Sequence, residues 1–234
     1  MRTFMLAAGI VAFTAIGSQA AGLEKSNGRF YVAAEGGYGK VENSTGGYAG
    51  EIVYDGAPWL NTGSDDDNGG SIGVKVGMHL GERFRMDLGY AYYGENDFTT
   101  KSDPLEGGYL WQSEAEIHTV MLAAYYDYAQ FKKVNLYIGA GIGASFVDFD
   151  ALEYWTGSGE PSGWYSSESD TLFSWQVETG IEYLLAQNIT LYGGFRYIDL
   201  GEIDSVVVNV RGPDGNLTAD LDVQEIFVGL RYRF

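Results

Sequence analysis

Two histidines, His79 and His118, are the only side chains in this 234-residue chain that ordinarily titrate near neutral pH. There is no cysteine, so thiolate nucleophiles, disulfides and Cys-ligated zinc or iron–sulfur centres are excluded. Neither histidine stands in a catalytic spacing, and no phosphate loop, dinucleotide fingerprint or nucleophile triad appears elsewhere. Acid–base catalysis is therefore not expected, and no cofactor or metal is assigned. A run of carboxylates, Asp65-Asp66-Asp67 in GSDDDNGGS (63–71), offers the hard oxygen ligands that Ca²⁺ prefers. It lacks the closing Glu of an EF-hand loop, so a solvated acidic loop tip is expected, with divalent-cation binding left open. Trp111, Trp155, Trp164 and Tyr165 lie among acids in stretches that read as loops, and such residues dominate binding hot spots. The net charge of −18 repels phosphate backbones and argues against nucleic acid as a partner.

The elements that must carry these residues are strands. Thirty-four glycines and 18 tyrosines against 4 prolines make a strand-and-turn composition. No stretch is long and apolar enough for a helical membrane span. Arg2, the apolar run Phe4 to Ile16 and the small residues Gly17-Ser18-Gln19-Ala20 have the layout of a secretory signal peptide, residues 1–20. Residues 21–234 are then one domain, one unit more negative once Arg2 is gone. Apolar residues recur at every second position in segments 30–38, 72–80, 84–92, 117–128, 136–146, 173–185, 189–197 and 226–234. Those eight segments of roughly 9–13 residues suit tilted strands crossing a bilayer. Connections at 81–83, 129–134 and 186–188 are short; those at 41–69, 94–115, 147–170 and 200–222 are long and polar. Short turns at one end and long loops at the other predict an all-β fold, an eight-stranded antiparallel transmembrane β-barrel. It is an up-and-down meander with long extracellular loops.

Strand parity decides which charges face inward. Ile72, Val74 and Val76 share a face opposite Lys75; Phe84, Met86 and Leu88 oppose Arg85 and Asp87. Read as a soluble sandwich or lipocalin-like barrel, the apolar faces would point inward and the charges would meet water. Aromatics near the ends of the apolar faces (Phe30, Tyr38, Trp175, Tyr183, Tyr232, Phe234) instead suit an interfacial girdle around a membrane barrel. The lumen then holds Lys75, Arg85, Arg196, Arg231 and Arg233 against Glu35, Asp87, Asp127, Glu178, Glu182 and Glu225. An eight-stranded barrel leaves an interior that side chains just fill, so these ions are expected to interlock as a plug. A slip of one residue would put Lys75, Arg85 and Arg196 in lipid, at about 2–4 kcal/mol each at the midplane.

Three stretches carry a family resemblance: AAYYDY (123–128) followed by LYIGAGIGAS (136–145), GFRYIDLG (194–201), and the closing VGLRYRF (228–234). They resemble the small outer-membrane β-barrel proteins called porin-family or opacity-like surface antigens, an OmpA-type membrane barrel without the periplasmic domain. The resemblance implies an outer-membrane location in a Gram-negative envelope and contact with outer-membrane lipid and lipopolysaccharide. It also implies that the barrel assembly machinery reads a C-terminal signal formed here by Leu230, Tyr232 and Phe234. Some such barrels modify lipids, but His118-Thr119-Val120 lacks the His-x-Ser arrangement of the outer-membrane lipid A deacylases. The expectation is a non-enzymatic envelope and surface-antigen barrel with a plugged lumen. Two alternatives stay open: an adhesin that binds a host or surface ligand through aromatic acidic loops, and a narrow porin.

Overall fold

The computed structural model describes residues 29–44, 65–101, 109–155, 161–208 and 215–234. The signal-peptide expectation at residues 1–20 lies outside them. Eight strands follow one another: β1 (Phe30–Ser44), β2 (Asp65–His79), β3 (Phe84–Lys101), β4 (Tyr109–Gln130), β5 (Val134–Trp155), β6 (Pro161–Ala186), β7 (Ile189–Val208) and β8 (Gly215–Arg233). Each pairs antiparallel with its neighbours, and β8 returns to β1 to close the barrel. Closure runs from Tyr31↔Arg233 to Ser44↔Asp220, and the Phe234 amide donates to the Phe30 carbonyl at 2.9 Å. The final aromatic stretch thus pairs the two strands that would otherwise be open edges.

Side-chain alternation is inside-out through the short-turn half. Val74 and Val76 are 57% and 53% exposed, while Lys75 between them is 8% exposed. The same holds for exposed Ile226, Val228 and Leu230 beside buried Glu225, Phe227 and Arg231. An apolar belt of this extent is stable only against a non-aqueous surround. A soluble barrel would have reversed it.

The strands are 15–26 residues long, not 9–13. Segments 94–115 and 147–170, expected as loops, are mostly ladder: Lys101 pairs with Leu110, and Asp150 with Ser167. In 200–222 the stretch 206–223, which the sequence reads as a hairpin extension with a turn at 212–216, is laddered out to Val208↔Gly215, and most of the expected turn lies outside the described residues. Periodicity missed the extensions in 94–115 and 147–170 because water meets the outer face there, so the hydrophobic signal changes while backbone pairing continues. Asp65–Asp67 likewise belongs to β2, paired with Asn43, Glu42 and Val41, and is not a loop tip. Asp67 accepts the backbone amide of Asp97 at 3.0 Å, tying β2 to β3. Two register shifts, at Tyr92/Glu95 and Asp199/Gly201, fall beside glycines with φ of 73° and 96°. Gly94 and Gly201 allow these bulges because a side chain at such φ would be strained.

Candidate functional site in the barrel lumen

Of the eleven lumen residues expected from parity, ten point into the barrel. Arg196, on β7, is the hub. Its Nη2 lies 2.7 Å from Glu35 Oε1, its Nε 2.9 Å from Glu178 Oε2 and its Nη1 2.8 Å from Glu225 Oε1. Those three carboxylates come from β1, β6 and β8, so one guanidinium ties four strands. Lys75 Nζ adds Glu35 Oε2 at 2.9 Å and Glu178 Oε2 at 3.6 Å. Nearer the short turns, Arg85 pairs with Asp127 at 2.5 Å and Glu182 at 2.9 Å, and Arg231 pairs with the same Glu182 oxygen at 2.5 Å. Arg233 is a correction. It is exposed at the rim, where Nη2 donates to the Gln187 carbonyl at 3.4 Å, and it takes no part in the network.

Without Arg233, four cations face six carboxylates. Tyrosines supply the missing donors. Asp87, which no cation pairs among the described residues, accepts from Tyr31 at 2.8 Å and Tyr125 at 3.2 Å. Tyr137 donates to Glu178 at 3.0 Å, Tyr192 to Glu35 at 2.9 Å, and Tyr93 to Glu225 at 3.3 Å. Ser71 completes Glu225 at 2.6 Å. The rings serve the cations as well: the Arg85 guanidinium lies 4.5 and 4.4 Å from the centroids of Tyr125 and Tyr137. Tyr31, Tyr137 and Tyr192 stood on the inward face by parity, yet their role was not read. A tyrosine scores as apolar in a periodicity count, and only its neighbours show what its hydroxyl will meet. Small residues make the room. A β-carbon at Gly139 would collide with the Tyr125 ring, and one at Gly37 with Glu225 Oε2.

The packing leaves little space. Voids of about 10 and 20 Å³ remain around Lys75, Asp87 and Arg196, at most a water molecule each. Above them the lumen changes character, which corrects the expectation of a polar interior throughout. Val41, Ile117, Val147, Ile198, Leu200, Leu221 and Val223 form one buried apolar cluster with Ala91, Tyr93, Ala115 and Met121. Within this layer Ser145 and Ser174 bond each other at 2.6 Å, and Ser174 donates to the Leu200 carbonyl at 3.0 Å.

A family model described as outer membrane protein beta-barrel domain matches residues 6–234. The chain belongs to this family. It is 24% identical over 174 residues to outer membrane protein PagN of Salmonella typhimurium, covering 69% of this chain and 72% of that one. An uncharacterised protein of Brucella abortus is 28% identical over 197 residues, covering 71% and 69%. Among solved structures, the outer membrane protein OprG of Pseudomonas aeruginosa superposes with a TM-score of 0.55 at 15% identity, covering 88% of this chain and 96% of that one. That last likeness speaks for the fold alone. Family membership places the protein in the outer membrane, and the exposed apolar belt is its lipid surface.

The remaining candidates divide between wall and rim. His118 points outward: its Nδ1 meets the Tyr90 hydroxyl at 2.8 Å and its Nε2 lies 3.4 Å from Glu116 Oε1. Thr119 beside it is buried on the opposite face. His79 lies at the short-turn end, its ring 5.4 Å from that of Tyr31. Leu230 and Tyr232 face lipid on β8, and Tyr232 packs edge-on against Phe234 at 5.2 Å. Trp111, Trp155, Trp164 and Tyr165 lie on strand extensions, not in loops: Trp111 in β4, Trp155 ending β5, and the other two in β6. Their side chains lie outside the described residues. On the outer wall, Asp199, Asp222, Glu42 and Asp66 stand side by side across β7, β8, β1 and β2. Lys40 reaches Glu42 at 3.2 Å and Asp66 at 3.6 Å.

Proposed function

We propose that this protein is a non-enzymatic, solute-tight barrel that anchors tall acidic hairpins at the cell surface, an envelope and surface-antigen role. The observation that carries this reading is the double closure of the lumen. Arg196 cross-links four strands through the middle, and an apolar layer seals the barrel above it. Ions entering would have to displace hydrogen-bonded charges and then cross a dry constriction. Planar-bilayer recording tests this: the folded barrel is expected to show no steady single-channel current. A stable ohmic conductance would overturn it and favour the narrow porin.

Insertion by the barrel assembly machinery through Leu230, Tyr232 and Phe234 belongs to the same proposal. It is supported by the Phe234 amide closing the β1–β8 seam. Phe234→Ala is expected to lower the amount of heat-modifiable protein in outer-membrane fractions, and unchanged insertion would remove the role. The acidic outer wall supports contact with lipopolysaccharide through divalent counter-ions. Among the described residues no cluster of His, Asp or Glu closes on a metal position, so these ions would be diffuse. An adhesin remains the second reading, favoured by the height of the β4–β5–β6 extensions that carry the four aromatic residues. Swapping those hairpin tips should abolish binding of cells to a ligand surface while the barrel stays heat-modifiable.

A further inference from the structure

Charge is segregated along the barrel axis, and the short-turn end is basic. Arg83, Lys132 and Lys133 occupy two of the three turns, Arg29 precedes β1 and Arg233 ends β8; all five are exposed. Glu82 is the one carboxylate in those turns. None of the five cations makes an ion pair among the described residues. Arg83 has only the Tyr126 hydroxyl at 3.5 Å, and Arg233 the Gln187 carbonyl at 3.4 Å. Lys132, Lys133 and Arg233 also border an open mouth of about 270 Å³ whose floor holds Arg231 and Glu182.

Four of the five cations adjoin an outward ring in the sequence or across the ladder, Arg29 preceding Phe30. Arg83 adjoins the Phe84–Tyr126 pair, whose centroids are 5.0 Å apart. Lys132 follows Phe131, which is 65% exposed, and Arg233 sits between Tyr232 and Phe234. Rings at the lipid boundary sit at headgroup depth, and flexible cationic stems reach past them to the phosphates. Short turns of outer-membrane barrels face the periplasm, so this rim meets the inner leaflet. We infer that the rim is a docking surface for anionic phospholipid, its phosphates held by Arg83, Lys132, Lys133 and Arg233 and its chains by the adjoining rings. A zwitterionic lipid brings its own ammonium against five exposed cations, whereas an anionic one brings net negative charge. A soluble wall polymer would satisfy the cations but not the rings, which is why lipid is the favoured occupant. This inference rests on the outer-membrane placement and not on the sealed lumen.

The test is lipid retention. Wild-type barrel is reconstituted in nanodiscs of phosphatidylethanolamine with a minor share of phosphatidylglycerol, re-extracted in mild detergent, and its retained lipid measured by mass spectrometry. Phosphatidylglycerol is expected to be enriched about five-fold over its input. The combined change Arg83→Gln, Lys132→Gln, Lys133→Gln and Arg233→Gln should lose that enrichment, and Lys132→Arg with Lys133→Arg should keep it. Heat-modifiable migration verifies that each barrel is folded. Should the fourfold variant fail to fold, Lys132→Gln with Lys133→Gln, confined to one turn, must still lower the enrichment measurably. Equal retention of both lipids by the wild type, or enrichment unchanged in the folded variants, overturns the inference. So does cosedimentation with lipid-free sacculi that is lost in the variant when no lipid is enriched, which would assign the rim to the wall polymer.

Discussion

The lower and upper halves of the lumen fill the same barrel in opposite ways. Below, Arg196, Lys75, Arg85 and Arg231 interlock with six carboxylates and five tyrosines. Above, the contents are Ile117, Val147, Ile198, Leu200, Leu221 and Val223. The change follows the surround. Where the outer face meets lipid, an apolar interior would leave a strand indifferent to which face points in; charges inside remove that indifference. Where the outer face meets water, the ordinary rule returns. β8 shows both: Leu221 and Val223 are buried beside outward Asp220 and Asp222, whereas Glu225 and Arg231 are buried beside outward Ile226 and Leu230. Replacing buried ion pairs by apolar groups is often neutral or stabilising. The lower network is thus better understood as fixing strand register, since a one-residue slip would turn Arg196 and Glu178 into lipid.

Breaking each half separately tests that contrast. Arg196→Ala should be the most damaging single change, at about 3–5 kcal/mol, because it leaves buried Glu225 with no cation and Glu35 and Glu178 sharing Lys75 alone. The readout is a lower temperature for conversion of the folded gel band to the unfolded one. Arg196→Ala combined with Glu178→Ala and Glu225→Ala should recover part of the loss. If the triple variant is as unstable as the sum of its parts, the charges act independently and the network account is wrong. In the upper half, Leu200→Ala should cost about 2–4 kcal/mol by leaving a cavity. Its rescue should come from a larger neighbour and not from neutralising a charge. Tyr137→Phe should cost less, about 1.5–3 kcal/mol, by removing the hydroxyl that donates to Glu178.

What could be read from residues alone divides along the same boundary. In the lipid-facing half, alternation like that in 72–80 and 226–234 gave strand identity and parity, and over all eight strands ten inward ions, because the cost of charge in lipid admits one solution. Arg233 was misplaced since parity says which face a residue is on, not whether the barrel still encloses it at the rim. The upper half was illegible for a physical reason. Its apolar residues, such as Leu221 and Val223, alternate with acids in the phase of a soluble strand, opposite to that of Ile226 and Val228. A reading tuned to one phase breaks off at the flip and reports a loop, as in 94–115 and 147–170; only in 206–223 does alternation around a turn signal show the hairpin. The tyrosine donors were missed because hydroxyl partners depend on cross-barrel distance, as in Tyr31 to Asp87, 56 residues apart.

The smallest effect probes the outer wall at the flip itself. Asp222 lies two outward positions beyond Ile226, the partner of the girdle residue Tyr38, and so above the lipid-facing band. Its neighbours across the ladder are Asp199 and Glu42, and its buried Oδ1 has no hydrogen-bond partner. Burial first, then the facing carboxylates, raise the Asp222 pKa above its ordinary value, with Gln224 and Lys40 opposing. A carboxyl whose folded pKa is raised holds its proton more tightly in the native state. Stability therefore falls as pH rises from the unfolded pKa through the folded one, and the penalty is complete at neutral pH. Asp222→Asn removes like charges set directly opposite each other and should stabilise the barrel by about 0.2–1 kcal/mol at pH 7. The gain should vanish below the unfolded carboxyl range, where wild type and variant are both neutral at this position. Urea unfolding at several pH values reads the difference, and a gain independent of pH would mean that packing, not charge, sets the cost of Asp222.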